Sequence, residues 1–110
     1  MKTLTEVGIE KIGRRFVNSV DHAAYTLNGQ PKTVSPFRKI VEGTSAKVYV
    51  YFDDTVSGTV ENVQLIDTDG DVIAEAAGRS FSKTTSKGLY VAFKYNIREM
   101  EVVDASNESL

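Results

Sequence analysis

The sequence predicts a mainly β domain: a small antiparallel β-sandwich or barrel with one N-terminal α-helix. Three observations predict it. Apolar residues recur at helical spacing only near the start of the chain. From residue 22 onward they alternate with a period of two, and turn residues interrupt the alternation at intervals of roughly ten. The length of 110 residues fits a single domain, 1–110, large enough to bury roughly two-thirds of its unfolded surface without staples.

The helix is expected at about 3–20. Thr3 and Glu6 have the spacing of a capping box, in which each side chain satisfies an orphan backbone N–H. Leu4, Val7, Ile12, Phe16 and Val20 form one apolar stripe, and Lys11, Arg14 and Arg15 lie largely off it. Gly8 and Gly13 each cost about 1 kcal/mol relative to alanine in a helix. Their presence points to close packing against another backbone, or to a short helix that frays.

The β region is expected at about 22–98. "HAAYTL" (22–27) is a strand ended by the turn pair Asn28-Gly29. Pro31 and Pro36 bracket an irregular or edge segment, because proline cannot donate to a ladder. "FRKIVE" (37–42) is a short strand. "SAKVYVYF" (45–52) is the clearest early one: Ala46, Val48, Val50 and Phe52 share one face, and Lys47, Tyr49 and Tyr51 share the other. In "TVENVQLID" (59–67), Val60 is out of phase with Val63 and Leu65, which predicts a bulge near Glu61-Asn62. "DVIAEAA" (71–77) follows an aspartate-rich turn. The stretch 78–88 reads as a polar connection anchored by Phe81. "LYVAFKYNI" (89–97) places Leu89, Val91, Phe93, Tyr95 and Ile97 on one face. Five to seven strands are expected in all, followed by a frayed acidic tail at 103–110.

Composition excludes several functions. With no cysteine, disulfides, thiolate metal sites and cysteine nucleophiles are impossible. A net charge of −2 argues against non-specific nucleic-acid binding and gives no attraction to anionic membranes. No apolar run approaches the roughly 20 residues that span a bilayer. The first residues have no long apolar segment, so no cleaved signal peptide is expected, and the sequon at Asn107 is read as accidental.

Asp67, Asp69 and Asp71 surround Gly70 in "LIDTDGDVIA" and resemble a calcium loop. An EF-hand needs glycine at position six and a bidentate glutamate at position twelve. Counting from Asp67, those positions hold Val72 and Gly78. The flanks are strand-like and Asp-Gly is a strong hairpin signal, so a turn is expected, with weak calcium binding left open. No metal or cofactor is assigned. His22 is the only histidine. Ser19 and Asp21 beside it supply triad residue types, but neighbours on an extended segment point to opposite faces, so no catalytic role is assigned. Tyr49, Tyr51 and Tyr90 lie opposite the most apolar positions. Together with Phe81 they are the candidate interface residues, since tyrosine is enriched at protein interfaces. The lysines and arginines read as dispersed solvated surface, with no basic patch interleaved among the tyrosines.

Two stretches carry a family resemblance. "LTEVGIEKIGRRF", with Leu4, Thr5, Gly8, Ile9 and Ile12, resembles the opening of phage tail-fibre and collar-fibre type proteins. "VENVQLIDTDGDVIAEA" resembles the strand–turn–strand of that family through Val60, Val63, Leu65 and Asp67, and Lys83 fits the polar stretch before its last strand. Gln64 and Asn62 depart from the pattern, standing where glycine and glutamate are preferred. The resemblance implies a non-enzymatic virion structural protein: a fibre-attachment, tail, neck or head-decoration component, assembled in the bacterial host cytoplasm. Its partners would be other copies of itself, as a homo-oligomer, and other virion proteins. Two other readings stay open: a carbohydrate-binding or adhesion module stacking sugars on Tyr49, Tyr51 or Tyr90, and a small enzyme or calcium-regulated domain.

Overall fold

A computed structural model describes residues 2–100. The expected acidic tail at 103–110 lies outside the described residues. Helix α1 (Glu6–Ser19) leads into eight strands: β1 (Val20–Leu27), β2 (Gln30–Val34), β3 (Arg38–Glu42), β4 (Ser45–Phe52), β5 (Gly58–Asp67), β6 (Val72–Glu75), β7 (Ser80–Lys83) and β8 (Leu89–Asn96). They form two antiparallel sheets packed as a small sandwich. The first sheet runs β2-β1-β5-β6, with β7 also on β5; the second runs β3-β4-β8.

The helix is shorter than the sequence suggests, and its cap differs. Thr5, not Thr3, is the N-cap, and its side chain accepts from Gly8 N. Thr3 is held from the far end of the described residues. Glu99 accepts from Thr3 N at 2.9 Å, from Thr3 Oγ1 at 2.7 Å and from Leu4 N at 2.9 Å. Gly13 is buried where the helix meets the second sheet; an added Cβ would sit 3.1 Å from Ile97 Cδ1 and 3.4 Å from Ala46 Cβ. That close approach explains why glycine is kept here despite its helix cost. The helix passes into β1 without a loop: Val20 is both the C-cap and the first strand residue.

Asn28 and Gly29 both have positive φ, as a two-residue hairpin turn requires, and join β1 to β2. Of the two readings of this segment, irregular or edge, the second holds: it contains an edge strand, and Pro31 is tolerated because β2 pairs on one side only. The expected bulge is present. Ala24 faces Gln64 but Thr26 faces Glu61, and Asn62 takes φ 54°. It shifts the phase of β5 so that Val60, Val63 and Leu65 all point inward. The polar connection at 78–88 contains β7, which pairs Phe81 with Val60. With β2 and β7, the count rises above the expected five to seven.

The core joins both sheets. Ala46, Val48, Val50 and Phe52 of β4 and Val91 and Phe93 of β8 meet Ala23, Tyr25, Val60, Val63 and Leu65 of the first sheet. The Tyr25 and Phe52 rings cross edge-on at 4.8 Å. Each large side chain buried this way contributes roughly 1.5–3 kcal/mol. Phe52, at 1% exposure, is among the largest. Phe52→Ala should lower the unfolding free energy by about 3–5 kcal/mol in urea titrations, through lost transfer energy plus a cavity; a loss below about 1 kcal/mol would mean the sheets do not close on this ring.

The Glu99 clamp predicts a pH effect. The Thr3 hydroxyl, then the Leu4 and Thr3 amides, hold the Glu99 carboxyl below its ordinary pKa. A depressed folded-state pKa stabilises above the unfolded value, and that contribution is lost as pH falls through the folded value. The Thr3 and Leu4 amides should therefore exchange slowly at neutral pH and lose that protection only below the ordinary glutamate range. Glu99→Gln should abolish the pH dependence in an NMR exchange series.

Candidate functional site

Antiparallel register decides which side chains share a face, because directly opposed residues point the same way. In the second sheet, Tyr51 faces Tyr90, Tyr49 faces Arg38 on one side and Ala92 on the other, and Lys47 faces Ile40 and Lys94. All lie on the outer face, opposite the buried Val48 and Val50. Phe37 joins them from just before β3, held by Phe37 N donating to Tyr49 O at 2.8 Å. Phe37, Tyr51 and Tyr90 form an aromatic cluster with centroid separations of 5.4, 5.6 and 4.5 Å. Phe37 and Tyr90 remain 57% and 56% exposed. A shallow recess of about 470 Å³ opens beside them, lined by Phe37, Arg38, Ile40, Tyr49 and Tyr90. Gly88 lets Tyr51 lie over the start of β8, since an added Cβ would come within 2.5 Å of the tyrosine oxygen.

Three of the four candidate interface residues therefore come together, and Phe81 does not. Its ring is half-buried on the inward side of β7, packed against the core, with the Arg79 guanidinium 5.7 Å from its centroid. The cations also need correction. Arg38, Lys47 and Lys94 look dispersed along the chain, yet register gathers them beside the tyrosines. Phe37 and this basic group were not legible, because the strands that carry them are far apart in sequence.

Asp67, Asp69 and Asp71 form the β5–β6 turn. Their carboxylates offer oxygens all within 4.8 Å of one another. The turn explains them without a metal. Asp67 Oδ1 accepts from Asp69 N at 3.0 Å and from Asp71 N at 2.9 Å, while Gly70 N donates to Asp67 O at 3.0 Å. A cation would have to compete for an oxygen already bonded to two amides. His22 and Asp21 are closer than strand geometry alone suggests. An irregularity in the β1–β5 pairing between Val20 and His22 brings His22 Nδ1 within 2.8 Å of Asp21 Oδ2. Ser19 is not aligned with them, since its hydroxyl donates to Phe16 O at 2.7 Å.

Lys83 is the buried charged residue of the described chain, at 3% exposure. Its ammonium donates to Val56 O at 3.0 Å and to Thr84 O, tying β7 to the 53–57 loop. Two backbone acceptors give it the partners that a buried charge requires. Among the described residues, every buried side-chain nitrogen and oxygen has a hydrogen-bond partner. Large apolar side chains are also exposed on and beside the helix, at Leu4, Val7 and Ile12, but the Phe37–Tyr51–Tyr90 group is the aromatic cluster that shares a sheet face with cations.

Comparison with protein-family models, with curated proteins and with solved structures gives no match.

The aspartate turn makes a testable expectation. If Asp67 is committed to the backbone, calcium affinity is weaker than about 1 mM, and millimolar calcium stabilises by less than about 0.4 kcal/mol. The melting temperature should not move on adding it. Asp67→Ala should cost about 1 kcal/mol through loss of the turn bonds, whereas Asp69→Asn should be neutral. A clear calcium-dependent rise that Asp69→Asn removes would restore the metal reading.

Proposed function

We propose that the chain is a bacteriophage virion structural protein, a fibre-attachment, tail, neck or head-decoration component that works by protein–protein assembly. The observation that carries this reading is the outer face of the second sheet. Two large aromatic side chains more than half exposed, in a cluster with a third, are unusual on a surface that meets only water. Tyrosine and arginine beside one another are the residue types that dominate binding energy at protein interfaces. The sequence resemblance to tail-fibre and collar-fibre type proteins supplies the phage context through Leu4, Thr5, Gly8, Val63, Leu65 and Asp67. Partners in this reading are other copies of the chain and other virion proteins, and its place is the virion.

A carbohydrate-binding or adhesion module is the second reading, favoured by one observation: the recess beside Tyr49 and Tyr90 offers stacking faces next to the Arg38 guanidinium.

The discriminating experiment is mass spectrometry of gradient-purified particles from cells in which the gene is expressed during phage growth. On the assembly reading the chain co-sediments with particles, and Phe37→Ala with Tyr90→Ala reduces its incorporation without lowering its melting temperature. Absence from particles, with saturable glycan binding lost in the same double variant, would replace this reading with the second.

A further inference from the structure

The two outer faces of the sandwich carry opposite charge. On the second sheet the outward rows hold Arg38, Lys47 and Lys94 against the single carboxylate of Glu42. This basic face belongs to a chain of net charge −2. On the first sheet the outward rows are Thr33–Ala24–Gln64–Glu75, Pro31–Thr26–Glu61–Ser80 and His22–Ile66–Val72. Glu61 and Glu75 are their charged residues, and no lysine or arginine stands in them. Glu75 shares the outward side with Gln64, whose Nε2 donates to Glu75 Oε2 at 3.2 Å, and it also borders the open edge of the sandwich that faces β8.

The apolar residues are arranged in parallel with the charges. The second sheet has the Phe37–Tyr51–Tyr90 cluster at one end, with Lys47 four positions along β4 from Tyr51. The first sheet has Ile66 and the half-exposed Val72 at one end, with Glu61 five positions along β5 from Ile66, the bulge at Asn62 lying between. At about 3.4 Å per residue, the Lys47–Lys94 row and Glu61 lie roughly 14–17 Å from the apolar end of their own face, while Arg38, opposite Tyr49, and Glu75, opposite Gln64, lie two positions or roughly 7 Å from it. Placing apolar end on apolar end therefore brings the Lys47–Lys94 row over the row of Glu61, and the row of Arg38 over the row of Glu75. The helix does not obstruct this. Gly13 meets Ala46, Val41 and Ile97 on the inward side of the second sheet, and none of the outward-row residues named for either sheet is buried.

We infer that the basic, aromatic outer face of β3-β4-β8 docks on the acidic outer face of β1-β5-β6 of a second copy of this chain. This deepens, and rests on, the assembly reading by naming the partner of that face. The contact is heterologous: one copy uses one face, its neighbour the other, and each keeps a free face, so the result is a ring or an open stack. The footprint sets the strength. Strands of five, eight and eight residues, about 4.8 Å apart, cover roughly 350 Å², less than half the usual ~800 Å² per partner. A single contact is weak, and association appears at high protein concentration, where electrostatic complementarity chooses the partner face.

The test is sedimentation velocity on the full chain over a concentration series, at about 0.01 M and about 1 M salt, where the Debye length falls from roughly 30 Å to roughly 3 Å. Self-association should weaken by roughly tenfold or more at high salt. Lys47→Glu with Lys94→Glu makes both faces acidic, and Glu61→Lys with Glu75→Lys makes both basic. Each double variant alone should be monomeric, with its thermal melt retained. Mixing the two should restore association, because each then meets the opposite charge, and damage to folding could not be repaired by mixing. Three results would overturn the inference: a wild-type chain monomeric throughout the low-salt series, mixed variants that fail to associate, or stronger association when the lysines are reversed. A monomer that nevertheless co-sediments with phage particles removes the self-contact alone and leaves virion assembly standing.

Discussion

Strand β4 is constrained on both sides at once, and most of the molecule follows from that constraint. It is the central strand of its sheet, so its ladder must be satisfied on both edges, by β3 and β8. Its side chains alternate strictly: Ala46, Val48, Val50 and Phe52 are buried, and the residues between them are half-buried on the opposite face. A one-residue slip would send four core side chains into water and drive Lys47, Tyr49 and Tyr51 into the core. The register that closes the core is thus the same register that sets Lys47 beside Lys94 and Tyr51 beside Tyr90. The surface pattern is a mechanical consequence of the packing, and stability of the core guarantees presentation of the aromatic and basic face.

The first sheet reaches a comparable result by departing from regularity. β5 must serve three neighbours, β1 along one edge and β6 and β7 along the other. Its sequence does not alternate cleanly, and the extra residue at Asn62 absorbs the mismatch. The positive φ there costs strain that a non-glycine residue adopts only when its surroundings demand it, although asparagine tolerates it better than most. The return is that Val60, Val63 and Leu65 all face Phe52 and its neighbours. Lys83 and Asn28 secure the far end of β5: Lys83 bonds the 53–57 loop, and Asn28 Oδ1 accepts from Thr59 N at 2.9 Å.

Local pattern made much of the fold readable from the sequence. β4 and β8 were legible because their alternation is unbroken, the β1–β2 turn because Asn28-Gly29 is sterically specific, and the bulge because the phase of the valines slips. β2 was legible only as an irregular or edge segment: Gln30, Pro31, Lys32 and Thr33 have no apolar alternation, and the strand exists because β1 pairs with it. The helix start was misplaced because Thr3 and Thr5 are equal candidates locally. The choice between them involves Glu99, 96 residues away from Thr3. The candidate site divides in the same way. Tyr49, Tyr51 and Tyr90 could be placed on an outer face by parity alone. Phe37, Arg38 and Lys94 could not be placed beside them, since that requires knowing which strands pair and in what register. The Asp21–His22 contact was lost for the opposite reason, because it depends on an irregularity that parity cannot foresee.

The Glu99 clamp has a further consequence, for how the domain would bear load. One carboxylate gathers Thr3 and Leu4 at one end of the described chain, so residues 3 and 99 leave the body side by side. Tension applied between these two points would fall first on a few exposed hydrogen bonds that open one after another, like a zipper. The long β1–β5 and β4–β8 ladders lie behind that junction and would be loaded only after it gave way. The clamp therefore takes the first load between residues 3 and 99, and below the force that opens it the sandwich, and with it the two outer faces, is spared deformation.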